Sequence, residues 1–196
     1  MDITVDPSLQ QAIAVRENLK LILQEQSQLA ENLDYAQFNL LISGIQQAGS
    51  IFLTASGRSA YSMRAFAMRL MHLGLRVYFT GDTTTPAIKK GDLLIAASGS
   101  GTTSGVVKAA QTAKTVGAQI ISITTNKLAP LALLSDYIVC LPAPDKQNHA
   151  GNVSLQYAGS LFEQAVLLIT DAVFLELWRI DGTSAEELWT RHANIE

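Results

Sequence analysis

The sequence predicts an α/β fold: a doubly wound, five-stranded parallel sheet in the flavodoxin-like order 2-1-3-4-5, preceded by a helical arm. Three features carry that prediction. From residue 50 onward, short apolar runs alternate with longer segments of helical periodicity. The runs are apolar without interruption, as strands buried on both faces of a parallel sheet must be. Ser/Gly clusters directly follow two of them, where the strand-to-helix turns of such a sheet lie.

The elements follow in order. Between Ser8 and Leu29 apolar residues recur at helical spacing (Leu9, Ala12, Val15, Leu19, Ile22, Leu23, Leu29), with Pro7-Ser8 as a helix start. A second amphipathic helix carries Tyr35, Phe38, Leu41, Ile42 and Ile45 and ends near Gly49. These two helices make the arm. The runs 50–55, 75–79, 92–97, 119–124 and 136–141 read as strands, with helices near 59–74 and 104–117 as the crossovers that parallel neighbours require. A long helix near 155–179 and a short one near 184–192 close the chain. With 196 residues, 48% of them hydrophobic and 16% charged, one core and one domain over 1–196 are expected. Its parts are the arm at 1–48, the sheet core at 49–141 and the closing helices at 155–192.

Composition also excludes partners. The net charge is −3, and the Lys and Arg residues are scattered, so the electrostatic footprint of a nucleic-acid or anionic-membrane binder is missing. No basic, then apolar leader opens the sequence, and no apolar stretch has membrane-spanning length. The lone cysteine, Cys140, has no second thiol to pair with. The cytoplasm is the expected compartment.

The first Ser/Gly cluster is Ser56-Gly57-Arg58-Ser59, and the second runs from Ser98 through Gly99, Ser100, Gly101, Thr102 and Thr103 to Gly105. With strand order 2-1-3-4-5 the first and third strands are neighbours at the point where the order reverses, so both clusters face one crevice. The hydroxyls of Ser59, Ser98, Ser100 and Thr103, glycine-freed N–H groups and a helix N-terminus all suit a phosphate. Helix capping needs one hydroxyl, and this loop offers several. A P-loop would need Gly-Lys-Ser/Thr, which is missing, and the glycine spacing and position do not fit a dinucleotide fingerprint. No cofactor is implied, and the spacing of His72, His149 and His192 implies no metal.

Few groups suit proton chemistry. Glu163 sits about two turns into the predicted long helix between apolar neighbours, where a carboxylate is out of place on a packing face. Read by itself, it is an exposed or salt-bridged helix glutamate before it is a base. His192 near the C-terminus reads as a surface residue, and His149 sits in the polar stretch Pro142 to Asn152.

These residues resemble the sugar isomerase (SIS) domain family and, within it, the 6-phospho-3-hexuloisomerases. The resemblance runs through Gly57-Arg-Ser59, Ala65-Phe-Ala-Met-Arg-Leu-Met-His-Leu-Gly74, Thr83-Thr-Thr-Pro-Ala-Ile88 and Gly91-Asp-Leu-Leu-Ile95. It continues through Ser98-Gly-Ser-Gly101 and Leu161-Phe-Glu163 to Arg191-His-Ala-Asn-Ile-Glu196, and so covers most of the chain. The Ser-x-Ser-Gly-x-Thr loop marks SIS domains at large, and the Phe-Ala-Met-Arg and Thr-Thr-Thr-Pro runs are more specific. Two departures stand out: Thr102 replaces a usual glutamate, and Tyr157-Ala-Gly-Ser160 replaces a Pro-Leu-Gly-Thr-like run.

The resemblance implies a cofactor-free isomerase of the formaldehyde-fixing ribulose monophosphate route. It would interconvert D-arabino-3-hexulose 6-phosphate and D-fructose 6-phosphate through a 2,3-enediol. It implies a homotetramer, functional coupling to 3-hexulose-6-phosphate synthase, and phosphate contacts from Ser59, Ser98, Ser100 and Thr103. It makes Glu163 the base, reversing the first reading of that residue. Gly57, Arg58, Thr85, Gly99, Gly101 and Thr102 lie in the right loops to bind substrate. His192 is a candidate ring-opening acid–base group for cyclic fructose 6-phosphate, contributed across a subunit boundary. The alternatives are an SIS isomerase of arabinose 5-phosphate or a heptose 7-phosphate, and a non-catalytic sugar-phosphate sensor.

Overall fold

The structure, a computed structural model, describes residues 7–144, 154–157 and 159–195. Five parallel strands form one sheet in the order β2-β1-β3-β4-β5, with β1 Ile51–Ala55, β2 Val77–Phe79, β3 Leu93–Ala97, β4 Gln119–Thr124 and β5 Tyr137–Cys140. The order is the one expected, and β1 and β3 lie side by side at the reversal point. The helices are α1 Pro7–Glu31, α2 Phe38–Gln47, α3 Arg58–His72, α4 Ser104–Thr115, α5 Pro130–Leu134, α6 Ser160–Asp181 and α7 Ala185–Trp189.

The two-residue period of the strands divides the core. Ile51, Leu53, Leu93, Ile95, Ile121 and Ile123 point to one face, where α2, α3 and α6 cover them with Leu41, Phe66, Leu70 and Phe162. Phe52, Leu94, Ala96 and Ile120 point to the other, covered by Val106, Ala110 and Ala113 of α4 and Leu131 of α5. Both faces are therefore apolar, which explains the unbroken hydrophobic runs. Among the described residues no helix is long and apolar enough to cross a membrane.

Three expectations change. The long helix begins at Ser160 and not near 155, because Gly159 adopts a left-handed φ of 79° and interrupts the backbone there. Residues 154–157 form a turn instead. The five-residue α5 was not foreseen, since one turn opened by Pro130 is too short to show periodicity. The apolar stripe assigned to the first helix is largely uncovered: Val15, Leu19 and Leu23 are exposed, and burial begins only at Glu25 and Leu29, where α1 reaches α6.

Candidate active site

The carboxyl edge of the sheet collects three helix starts. α3 begins after Gly57 (φ 60°), α4 after Thr103 and α6 after Gly159, and none has a side-chain cap. The N–H groups of a first helical turn lack intrahelical acceptors, so uncapped starts are ready anion sites with the favourable end of the helix dipole. Thr103 in particular does not cap α4: its Oγ1 lies 3.0 Å from Ser98 Oγ, and the two hydroxyls hydrogen-bond each other.

The 98–103 loop is built tightly. Ser98, almost wholly buried, accepts from Gly101 N at 3.2 Å. Ser100 Oγ accepts from Thr102 N at 3.3 Å and from Thr102 Oγ1 at 2.9 Å, which leaves the Ser100 hydroxyl proton to be donated outward. The Gly99 carbonyl accepts from Thr124 Oγ1 (3.0 Å), Thr125 Oγ1 (2.9 Å) and Thr125 N (3.1 Å), tying the loop to the end of β4. The backbone at Gly99 also runs against the Phe162 ring, 3.4 Å from where a Cβ would sit, which sets the loop beside the first turn of α6.

That turn carries Glu163. Its side chain is 5% exposed, and its Oε2 lies 3.1 Å from Nη1 of Arg58, which also donates to Ser160 Oγ at 3.1 Å. Ser62 Oγ donates to the Glu163 carbonyl at 2.9 Å. Glu163 therefore sits in the first turn of its helix, not two turns in, where the dipole favours a carboxylate. Arg58, Tyr61, Ser62, Glu163, Gln164 and Leu167 line a cavity of about 170 Å³ between α3 and α6. A larger groove of about 320 Å³ lies between α1, α2 and α6, but its walls are apolar (Leu33, Phe38, Ile42, Leu168) and it offers little for proton or phosphate chemistry.

The structure thus brings Gly57, Arg58 and Ser59 to the edge where Ser98 to Thr103 and Glu163 lie. Thr85 has a structural partner: its Oγ1 donates to the Phe79 carbonyl at 2.7 Å and pins the turn after β2. His149 lies outside the described residues. His192 stands at the other end of α3. Its ring stacks on His72, the last residue of α3, with centroids 4.0 Å apart, and Trp189 flanks it at 4.5 Å. Arg191 Nη1 donates to the His72 carbonyl at 2.7 Å and holds this corner together. α3 spans about 20 Å at 1.5 Å per residue from Arg58 to His72, so His192 does not reach the Arg58–Glu163 pair of its own chain. Sequence reading missed Ser62, Ser160 and Gln164, single polar residues on amphipathic helices that carry no motif.

His72 gives this corner a pH signature. Burial, and then the neighbouring His192 and Arg69, hold its imidazole below the ordinary value of 6.5. Folding keeps this histidine neutral, so its penalty is nil above about pH 6.5 and grows as pH falls toward the lowered folded value. The wild type is expected to lose melting temperature between about pH 7.5 and 5.5, and His72→Phe to lose less over that range; parallel curves would contradict this.

The comparisons fit this geometry. Residues 44–168 match the SIS domain family. The chain is 53% identical over 182 residues to the 3-hexulose-6-phosphate isomerase of Mycobacterium gastri, covering 93% of this chain and 92% of the relative. It is 35% identical to the 3-hexulose-6-phosphate isomerase of Bacillus subtilis, covering 89% and 95%. A crystal structure from Methanococcus jannaschii, whose inferred molecular function is that of a 3-hexulose-6-phosphate isomerase, superposes with a TM-score of 0.79 at 33% identity, covering 92% of this chain and 99% of that one. With a matched segment that runs from α2 into α6 and carries both Ser/Gly loops and Glu163, the chain belongs to the SIS domain family.

Proposed function

We propose that this protein is a 3-hexulose-6-phosphate isomerase, interconverting D-arabino-3-hexulose 6-phosphate and D-fructose 6-phosphate. The observation that carries the reading is the buried Glu163 carboxylate, held by Arg58 in the α3–α6 cleft beside a hydroxyl-rich loop and uncapped helix starts. The 53% identity to an enzyme of that name over nearly the whole chain selects the substrate.

Moving the carbonyl from C3 to C2 needs one base. Glu163 takes the C2 proton, and the electron pair of that bond forms C2=C3 while the C3 carbonyl oxygen becomes an enediolate. The O2 proton passes to O3, C2 becomes the carbonyl, and the carboxylic acid of Glu163 returns its proton to C3. Ser59, Ser100, Thr103 and the N–H groups at the start of α4 hold the phosphate, with Ser98 shaping the loop from within. Gly57 turns the chain into α3 with its φ of 60°, Gly99 and Gly101 let the loop pack against Phe162 and Ala129 with its other side toward the substrate, and Thr102 orients Ser100. The Arg58 side chain is 62% exposed and can meet a substrate oxygen while still touching Glu163. Thr85 acts through the shape of its turn. Supplying the enzyme with D-arabino-3-hexulose 6-phosphate and measuring fructose 6-phosphate tests the assignment: the product is expected, and its absence with folded protein overturns it.

The same reading places the enzyme in the formaldehyde-fixing route, coupled to the synthase that makes its substrate, and makes it a homotetramer. The exposed Val15, Leu19 and Leu23 of α1 support the assembly, since a stripe of this size is covered in most soluble proteins. His192, about 20 Å from the Arg58 of its own chain, serves ring opening only in the site of another copy. Light scattering at micromolar concentration is expected to give four times the chain mass; a monomer would contradict both statements.

A further inference from the structure

Outside the cleft, the described residues bury two more carboxylates, Asp92, which is held by Lys89 three residues before it, and Glu25, which is held by partners far along the chain. Glu25, on the second-from-last turn of α1, is 7% exposed. Its Oε1 accepts from Leu155 N at 2.7 Å, and its Oε2 accepts from Ser154 Oγ at 2.7 Å and Gln156 Nε2 at 2.8 Å. The bonds continue. Gln156 Oε1 accepts from Gln164 Nε2 at 2.9 Å, and Gln164 Oε1 accepts from Gln26 Nε2 at 3.0 Å. Gln26 Nε2 also donates to the Leu161 carbonyl at 3.3 Å. The chain of bonds thus leaves α1, crosses the 154–156 turn, enters the wall of the α3–α6 cleft at Gln164, and returns to α1.

The direction of every bond in this ring is forced. A backbone N–H at Leu155 can only donate, and a backbone carbonyl at Leu161 can only accept, so the two ends are fixed. Between them three amides must all point the same way, which holds only if residue 25 accepts with both oxygens. A carboxylate does so, and an amide does not. With glutamine at 25, oxygen toward Leu155 N puts an NH₂ group toward Gln156. The Gln156 amide then flips, and the reversal runs through Gln164 to set the Gln26 oxygen against the Leu161 carbonyl. The charge of Glu25 is what lets the ring close without a mismatch.

We propose that Glu25 is a positioning residue for the isomerisation: through Gln156 and Gln164 it fixes the first turn of α6, and with it the direction of the Glu163 carboxylate. This rests on the assignment of Glu163 as the base. Leu161, Glu163 and Gln164 share that turn, so holding the Leu161 carbonyl and the Gln164 amide sets the pose of the residue between them. Burial pushes the Glu25 carboxyl up, but the bonds from Gln156, Leu155 N–H and Ser154 together outweigh it and hold the group below its ordinary 4.5, as a fixed anion requires. The helical arm then has a part in catalysis through a contact made within one chain.

Two variants test it, each read by steady-state kinetics, inorganic phosphate binding and amide hydrogen exchange. Glu25→Gln reverses the ring, and Gln156→Leu cuts it while leaving the bonds from Ser154 and Leu155 to Glu25 in place. In both, kcat is expected to fall about 10- to 100-fold, the cost of a slightly misplaced catalytic group, with phosphate affinity unchanged and KM little altered. Exchange at 161–164 is expected to quicken in both. Quickened exchange with undiminished kcat would reduce the ring to a structural brace and overturn the proposal, as would unchanged exchange and kcat. If Glu25→Gln does not fold, Gln156→Leu decides alone. A wild type inactive on the hexulose phosphate would overturn the function reading and the positioning role with it, and the exchange data would still show whether Glu25 orders the turn.

Discussion

Replacing Glu163 by Gln is expected to lower kcat by about 10²- to 10⁴-fold, the range that a positioned general base supplies, with KM nearly unchanged. The amide keeps the volume of the side chain and its oxygen can still face Arg58, so the cleft keeps its shape. It cannot take a proton from C2 or C3. Because Glu163 is 5% exposed and Arg58 loses its counter-charge, some stability is also lost, about 1–3 kcal/mol for a disturbed buried polar contact. A thermal scan at the assay temperature therefore accompanies the kinetics. Undiminished turnover in a folded Glu163→Gln enzyme would remove Glu163 from the chemistry.

The second large effect is expected at Gly101. Its φ is +64°, and a Cβ built there would fall 2.4 Å from the Ala129 Cβ and 3.2 Å from Thr124 Oγ1. Ala129 caps α5 and the Leu131 N–H donates to the Gly101 carbonyl at 3.0 Å, so that neighbour does not simply turn aside. The left-handed backbone costs alanine about 1–2 kcal/mol, and forced overpacking adds about 1–3 kcal/mol. Gly101→Ala is thus expected to lower the melting temperature by roughly 5–15 °C, taking the usual shift per kcal/mol for a chain of this length. It is also expected to raise KM by displacing Ser98 and Ser100. Gly105 is the stability control. A Cβ there meets no protein atom within 4 Å, and as a residue of α4 its replacement by Ala is expected to stabilise by up to about 1 kcal/mol. Similar melting temperatures for the two variants would contradict the packing described for the loop.

The sheet was legible because its signal is local. Each buried strand writes an unbroken apolar run, and the turns after two of them write glycine and serine, so the strands and the two Ser/Gly loops could be read residue by residue. The Arg58–Glu163 pair was half legible: both residues stood out, but the distance between them depends on how α3 packs on α6. The helix starts at Ser160 because Gly159 turns left-handed, and a lone glycine does not announce its φ. His192 shows the limit most clearly. Its position in the chain says nothing of the His72 stack that holds it about 20 Å from the Arg58 of its own chain. Glu25 was invisible for the same reason, since each of its partners lies about 130 residues further on.

The most direct test of the account follows the hydrogen at C3. Fructose 6-phosphate is incubated with the enzyme in deuterated water, and the recovered sugar phosphate is read by NMR. Proton abstraction by Glu163 on the way to a 2,3-enediol is expected to place deuterium at C3 of fructose 6-phosphate, and Glu163→Gln to abolish that exchange. Deuterium confined to C1, as an aldose-forming isomerase would give, or no exchange with the wild type, would contradict it.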